Sequence, residues 1–378
     1  MIIFSVKEIK PKAKAPDEVR FQRWVRGAVD ESVKQIYGAE RFIQSGRHSH
    51  VVREEGSSAL AYPSAARRRI HRVAVALGGD DHFPVPYGDF GKGFVHVFDE
   101  RSFRTVLSEL DTITDFVEYL SKKEDLLAPS RDVLFGLEED LLAIYLHQNR
   151  SFPSADLLMI EEGSWPEILK RPEYHAKKIA DEESYMWDRL IEKIGKDAAS
   201  GNLEFSNSLD KDEIGLRVMA RENRFNRRML ASALATFLEA ARANEVRSRM
   251  TASPSGVGYV FLAAHPDEQR SDRNDETSLR CIIARVKLDC ETIIGIGTER
   301  PGVRRGASWD LHYAYIPTLT DEFRSNALKM SDEMGYFSAP RVTGLHEDEY
   351  PGHCPGGDVP EVGALASPAP APSNGTEM

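Results

Sequence analysis

Apolar residues along this chain follow two rhythms. Between Phe21 and Phe42 they recur as Phe21, Trp24, Val25, Val29, Val33, Ile36 and Tyr37, a spacing that lines one side of a helix. From Ser102 to Asp125 the stripe Phe103, Val106, Leu107, Leu110, Ile113, Val117 and Leu120 predicts one long helix, capped by Asp99 or Ser102. Leu137, Leu141, Leu142 and Tyr145 mark another, with Glu138, Glu139 and Asp140 in its first turn, where the helix dipole favours anions. Three more helices are expected over about 183–199, 210–220 and 224–246. The second rhythm is short and strand-like: Met1–Val6, Ile70–Leu77 (IHRVAVAL), Phe94–Phe98 (FVHVF), Tyr259–Ala264 (YVFLAA), Thr292–Ile296 (TIIGI) and Leu311–Ile316. Leu279, Ile282, Ile283, Val286 and Cys290 return to helical spacing. YVFLAA and TIIGI should therefore be parallel neighbours in a βαβ unit, with a closing helix through Phe323, Ala327, Met330 and Met334.

Elsewhere both rhythms fail. Residues 78–93 (GGDDHFPVPYGDFGKG) read as a loop, as their Gly, Pro and Asp content requires. Residues 149–183, interrupted by Pro153, Pro166 and Pro172, read as irregular, and Ser248–Gly256 as a linker. The expected architecture is α+β. A mixed α/β region with a basic N-terminal part spans 1–150, a mainly helical region 151–250, and a small α/β domain 256–340. A Pro/Ala/Ser-rich disordered tail covers 351–378.

Composition narrows the class. The chain has 378 residues, 41% hydrophobic and 29% charged, which suits a globular protein with a sizeable core. No apolar run approaches the ~20 residues needed to cross a bilayer, so no membrane partner is expected. The start MIIFSVKEIKPKAKAP lacks the order of a signal peptide, and three cysteines (Cys281, Cys290, Cys354) are no disulfide framework. Both point to a cytoplasmic location with reduced thiols. Charge is uneven. Residues 1–72 hold 15 Lys+Arg against 8 Asp+Glu, whereas the whole chain is −11. Arg67, Arg68, Arg69 and Arg72 are the sharpest basic feature. Guanidinium groups match phosphate oxygens, so this cluster could contact nucleic acid, or it could meet acidic neighbours within the protein.

Candidate chemistry falls in four places. His265, Asp267 and Glu268 follow the first βαβ strand, and Thr298, Glu299 and Arg300 follow the second. Ligands of parallel sheets sit beyond such strand ends, so His265, Asp267 and Glu299 are candidate catalytic residues and Arg300 a candidate binding residue. In the 78–93 loop, Asp80, Asp81 and His82, with Asp89 and then His96 and Asp99, carry groups that suit Mg²⁺, Mn²⁺ or Zn²⁺, so a divalent metal is the one cofactor considered. His96 faces away from Val95 and Val97 and could equally lie on the surface. HEDEYPGHC (346–354) is dense in ligand types but is not HExxH. Asp111, Asp115 and Glu118 read as a solvated acidic face unless a basic partner compensates them. GIG at 295–297 lacks the rest of a dinucleotide fingerprint, and no hydrolase elbow, P-loop, CxxC or kinase signature occurs.

The segment GFVHVFDERSFRTVLSELDTITDFVEYLSKKEDLL (93–127) resembles a strand-helix segment of uncharacterised soluble bacterial proteins. The resemblance covers less than a tenth of the chain and implies a bacterial cytoplasmic protein, with no activity or catalytic residues to carry over. The sequence therefore favours an interaction or regulatory protein without catalytic activity, partnered by another protein or by nucleic acid. The alternative is a metal-assisted hydrolase or nuclease with its site at the strand ends of the C-terminal α/β domain.

Overall fold

The structure, a computed structural model, describes residues 1–10, 14–47, 50–51, 60–80, 83–128, 131–203, 209–265, 267–302, 308–337 and 348–350. It is an α+β protein containing two four-stranded mixed sheets, each sandwiched between helices.

The N-terminal unit opens with β1 (Ile2–Glu8). Helix α1 (Asp17–Trp24) then runs through a wide π turn at Val25–Asp30 into α2 (Glu31–Gln44). A two-residue pair, β2 (His50–Val51) and β3 (Leu60–Ala61), precedes β4 (His71–Leu77), β5 (Gly88–Asp89) and β6 (Phe94–Phe98). The sheet order is β1-β4-β6-β5, with β1, β4 and β6 parallel and β5 antiparallel to β6. Strand alternation separates two cores. Ala74, Ala76, Val95 and Val97 meet Trp24, Val29, Val33 and Ile36 on one face. Val73, Val75 and Phe98 meet the helices that follow on the other. Those are α3 (Glu100–Glu109), α4 (Ile113–Leu126) and α5 (Glu138–His147). The one long helix expected over 102–125 is thus two. Leu110 leaves helical geometry, and Thr112 caps a new start by accepting from the Asp115 amide.

Residues 149–183 are also more ordered than their prolines suggested. A parallel pair, β7 (Asp132–Leu134) and β8 (Leu157–Met159), is followed by α6 (Ser164–Ile168) and α7 (Pro172–Asp181). Pro172 occupies the first turn of α7, where a missing N–H costs nothing.

In the C-terminal unit, α8 (Tyr185–Ala199), α9 (Leu209–Ala220) and α10 (Arg224–Arg242) cover one face of a sheet ordered β12-β11-β10-β9. Its strands are β9 (Ser248–Ala252), β10 (Val257–Ala263), β11 (Thr292–Thr298) and β12 (Trp309–Tyr315). Between β10 and β11 runs α11 (Arg270–Leu288), which covers the other face, and α12 (Asp321–Met334) packs on α11. β10 and β11 are parallel neighbours as the βαβ reading required, Val257 pairing with Thr292 through to Ala263 with Thr298. The expected linker at 248–256 is instead strand β9 and a tight turn, antiparallel to β10. Gly295 has a packing role: a Cβ there would lie 2.6 Å from Cys281 Sγ, so its absence lets α11 close on β11.

The two units meet at a buried ionic knot. Asp115, fully buried, accepts from Thr112, from the Arg224 amide at 2.9 Å and from the Arg150 guanidinium. Arg224 also pairs with Asp111 at 2.8 Å and Asp188 at 2.7 Å, and Arg150 with Glu349 at 2.7 Å. Asp111 and Asp115 are therefore not a solvated face but the acidic half of this junction.

Candidate metal centre

The strand-end rim of the C-terminal sheet carries the expected residues His265, Asp267, Glu299 and Arg300. His265 and Asp267 are exposed, and the His265 amide donates to Glu268 at 2.8 Å. Glu299 accepts from the Ser308 amide at 2.5 Å and from its hydroxyl, with Arg273 at 3.5 Å. Arg273 is shared with Asp310, which also takes Arg270 at 2.7 Å. Beside them, Arg247 joins Glu268 and Glu276, and Glu276 accepts from Arg280. Arg300 donates to the Ala241 carbonyl at 3.0 Å. For the Glu299 carboxyl, burial pushes upward but the Ser308 and Arg273 contacts outweigh it, and the net shift is down.

In the 78–93 loop Asp80 pairs with Arg20, while Asp81 and His82 lie outside the described residues. Asp89 accepts from the Gly91 and Gly93 amides, which is turn chemistry. In the basic cluster, Arg68 donates to the carbonyls of Pro63 and Ile43 and lies over the Tyr62 ring. Arg72 forms a two-pronged pair with Glu40 at 2.5 and 2.7 Å. Arg69 remains 59% exposed and reaches toward Glu124 at 3.9 Å, whereas the side chain of Arg67 lies outside the described residues. In HEDEYPGHC, only Asp348, Glu349 and Tyr350 are described; the Glu349 carboxylate pairs with Arg150, and the Asp348 and Glu349 carbonyls accept from Arg228 at the junction.

The structure gathers a different set. His71 opens β4 and His96 sits mid-way along β6. Strand alternation puts both on the face that packs against α4, and Glu124 comes down from the last turns of that helix. His71 Nδ1 lies 2.9 Å and His96 Nε2 3.0 Å from the same oxygen, Glu124 Oε1. The ligand atoms of the three all fall within 4.8 Å of one another. Among the described residues this is the one such grouping of His, Cys, Asp or Glu.

Both imidazoles are fully buried, so His96 is a core residue rather than a surface one, while the Glu124 side chain is 23% exposed and forms the mouth. The Phe94 ring meets His96 edge-on at 4.9 Å and the Phe98 ring stacks more distantly. This apolar setting holds the His96 imidazole down at about 4 despite the nearby carboxylate, so it is neutral at pH 7. Burial works to raise the Glu124 carboxyl, but bonds from both histidines outweigh it and it falls to about 2. An ionised carboxylate only accepts, so His71 donates through Nδ1 and His96 through Nε2. In the neutral His96 ring the remaining nitrogen, Nδ1, then acts as an acceptor. His71 Nε2 faces Ser121 Oγ at 3.5 Å, whereas His96 Nδ1 is buried with no partner among the described residues.

The chain matches no family model, no curated protein and no solved structure. Its chemistry has to be argued from these residues alone. Two imidazoles and a carboxylate form a three-ligand set that suits a borderline-soft divalent cation. Tetrahedral zinc with ~2.1 Å bonds sets its ligand atoms roughly 3.4 Å apart, within reach of small side-chain rotations here. Sequence reading reached His96 but assigned it to the loop cluster. The missing signal was that IHRVAVAL places His71 with Val73 and Val75, and FVHVF places His96 with Phe94 and Phe98. These are two histidines on the apolar faces of what prove to be adjacent strands.

Proposed function

We propose that this chain is a non-catalytic, divalent-cation-binding regulatory protein, with zinc held by His71 Nδ1, His96 Nε2 and a Glu124 oxygen. The observation that carries the reading is the convergence of two fully buried imidazoles on one carboxylate oxygen. To hold the metal, each imidazole would carry its proton on the outer nitrogen, His71 Nε2 and His96 Nδ1, freeing the inner lone pairs, and the three ligands would leave a fourth position toward the Glu124 mouth. Ser121 orients the outer nitrogen of His71. His96 lacks such a partner, which sets the affinity below that of a site with both outer contacts. The non-catalytic part draws support from the C-terminal rim, where the carboxylates are engaged by arginines and Ser308. A cytoplasmic setting belongs to the same proposal, supported by the buried free thiols of Cys281 and Cys290.

The test is titration of the chelator-treated full chain with Zn²⁺ by calorimetry and with Co²⁺ by its visible absorption. One saturable site is expected, weakened at least tenfold by Glu124→Gln and by His71→Ala. No saturable uptake overturns the reading, as does uptake that survives Glu124→Gln but is lost on His353→Ala. A second reading, a metal-assisted hydrolase, is favoured by the exposed Arg69 guanidinium beside the mouth, where a phosphate ester would be attracted. It requires the zinc-loaded protein to cleave bis(p-nitrophenyl) phosphate and to stop doing so on Glu124→Gln.

A further inference from the structure

Strand β1 is the outer strand of the N-terminal sheet. The His71 amide donates to the Met1 carbonyl at 2.9 Å and the Ile9 amide to the Leu77 carbonyl at 3.1 Å. Odd-numbered residues of β1 therefore spend their N–H and C=O on β4, since both groups of a strand residue point the same way. The backbone groups of Ile2, Phe4, Val6 and Glu8 face outward, and among the described residues no strand pairs with them. Ile2–Val6 contains no charge, proline or glycine, the devices that normally blunt an edge. On the α3–α4 face of this edge Phe4 is 46% and Val6 58% exposed, between the partly buried Ile2 and the exposed Glu8. The Phe4 ring is held by Phe103 and Phe116, each with ring centroids 6.2 Å away.

We propose that β1 pairs antiparallel with β1 of a second copy of this chain, about a two-fold axis at Ser5. The occupant is a second copy because the edge is complementary to itself. Full overlap of the seven-residue strand fixes one register, in which Phe4 lies opposite Val6 of the other copy and Ile2 opposite Glu8. All four are residues whose backbone groups face outward, so they form the hydrogen-bonded pairs, roughly eight bonds in all. The same register sets each exposed Phe4 ring against an exposed Val6, an aromatic to β-branched cross-strand pair, twice. A two-residue slip in either direction sets like against like, Phe4 on Phe4 or Val6 on Val6, and leaves strand ends unpaired. The two sheets become one, ordered β5-β6-β4-β1-β1-β4-β6-β5, and the interface is isologous and closed.

Sedimentation velocity of the full chain from 1 to 100 µM tests this. A dimer is expected, with Phe4→Lys alone and Val6→Glu alone each monomeric. An equimolar mixture of the two variants should recover a dimer, because the introduced lysine then faces the introduced glutamate. A wild-type chain that stays monomeric at 100 µM overturns the proposal, as does a dimer indifferent to both substitutions. A mixture that stays monomeric overturns the register. Should either variant fail to fold, hydrogen exchange on the wild type decides. The amides of Phe4, Val6 and Glu8 must become protected with rising concentration, and protection independent of concentration rejects the pairing.

Discussion

The two sandwiches of this protein use the same scaffold and treat their buried polar groups in opposite ways. In the C-terminal unit the groups at the β10–β11 strand ends are matched charge for charge: Arg273 with Asp310 and Glu299, Arg247 and Arg280 with Glu276. In the N-terminal unit one carboxylate faces two imidazoles, and among the described residues one ring nitrogen, His96 Nδ1, has no partner. The first arrangement is closed, because each ion already has its counter-ion. The second is the set to which the proposed function assigns a cation.

Experiments can widen or erase that contrast. The largest expected effect is on the closed side. Arg273→Ala removes the buried guanidinium shared by Asp310 and Glu299, leaving Asp310 to Arg270 and Glu299 to Ser308, and should cost about 3 kcal/mol in urea unfolding. Next is the open side. Saturating zinc at 100 times its dissociation constant should stabilise the wild type by ~2.7 kcal/mol in thermal unfolding and leave Glu124→Gln unmoved. Acid separates the two more gently. In Glu276 and Glu299 burial acts upward, but the bonds from Arg247 and Arg280, or from Ser308 and Arg273, win and hold both carboxyls below their ordinary value of 4.5. Such groups bind fewer protons folded than unfolded. Their contribution is complete above pH 4.5 and drains away as the pH falls below it. Unfolding followed by amide signals of β10 and β11 should show this loss, and Glu299→Gln should reduce it. The smallest effect is expected for His96→Leu. Replacing a neutral, half-satisfied ring by an apolar side chain should change stability by less than about 1.5 kcal/mol while abolishing metal uptake. A loss as large as that of Arg273→Ala would mean that His96 is structural and the contrast false.

Much of the scaffold was legible because its central strands carry apolar runs that nothing else explains. FVHVF, IHRVAVAL, YVFLAA and TIIGI all became strands, and the last two lie parallel as the intervening helix demanded. Edges were harder. SRMTA forms β9 although its side chains are only half-buried, since an edge strand needs no continuous apolar run. The break between α3 and α4 hid inside an unbroken apolar stripe, and only the Thr112–Asp115 cap betrays it. The site was least legible. His71 and Glu124 are 53 residues apart, and Glu124 sits in a helix end rich in charge. Only tertiary packing brings that helix end over the two strands.

The pairing of β1 also carries a cost in time. Its partner β4 begins at His71, so Ile2 must wait for a strand 69 positions downstream. At ribosomal rates of about 5–20 residues per second, that is a delay on the order of 3–14 s. Through this interval IIFSV is a bare, uncharged β-former on a nascent chain, able to meet its twin on a neighbouring ribosome before its own sheet exists.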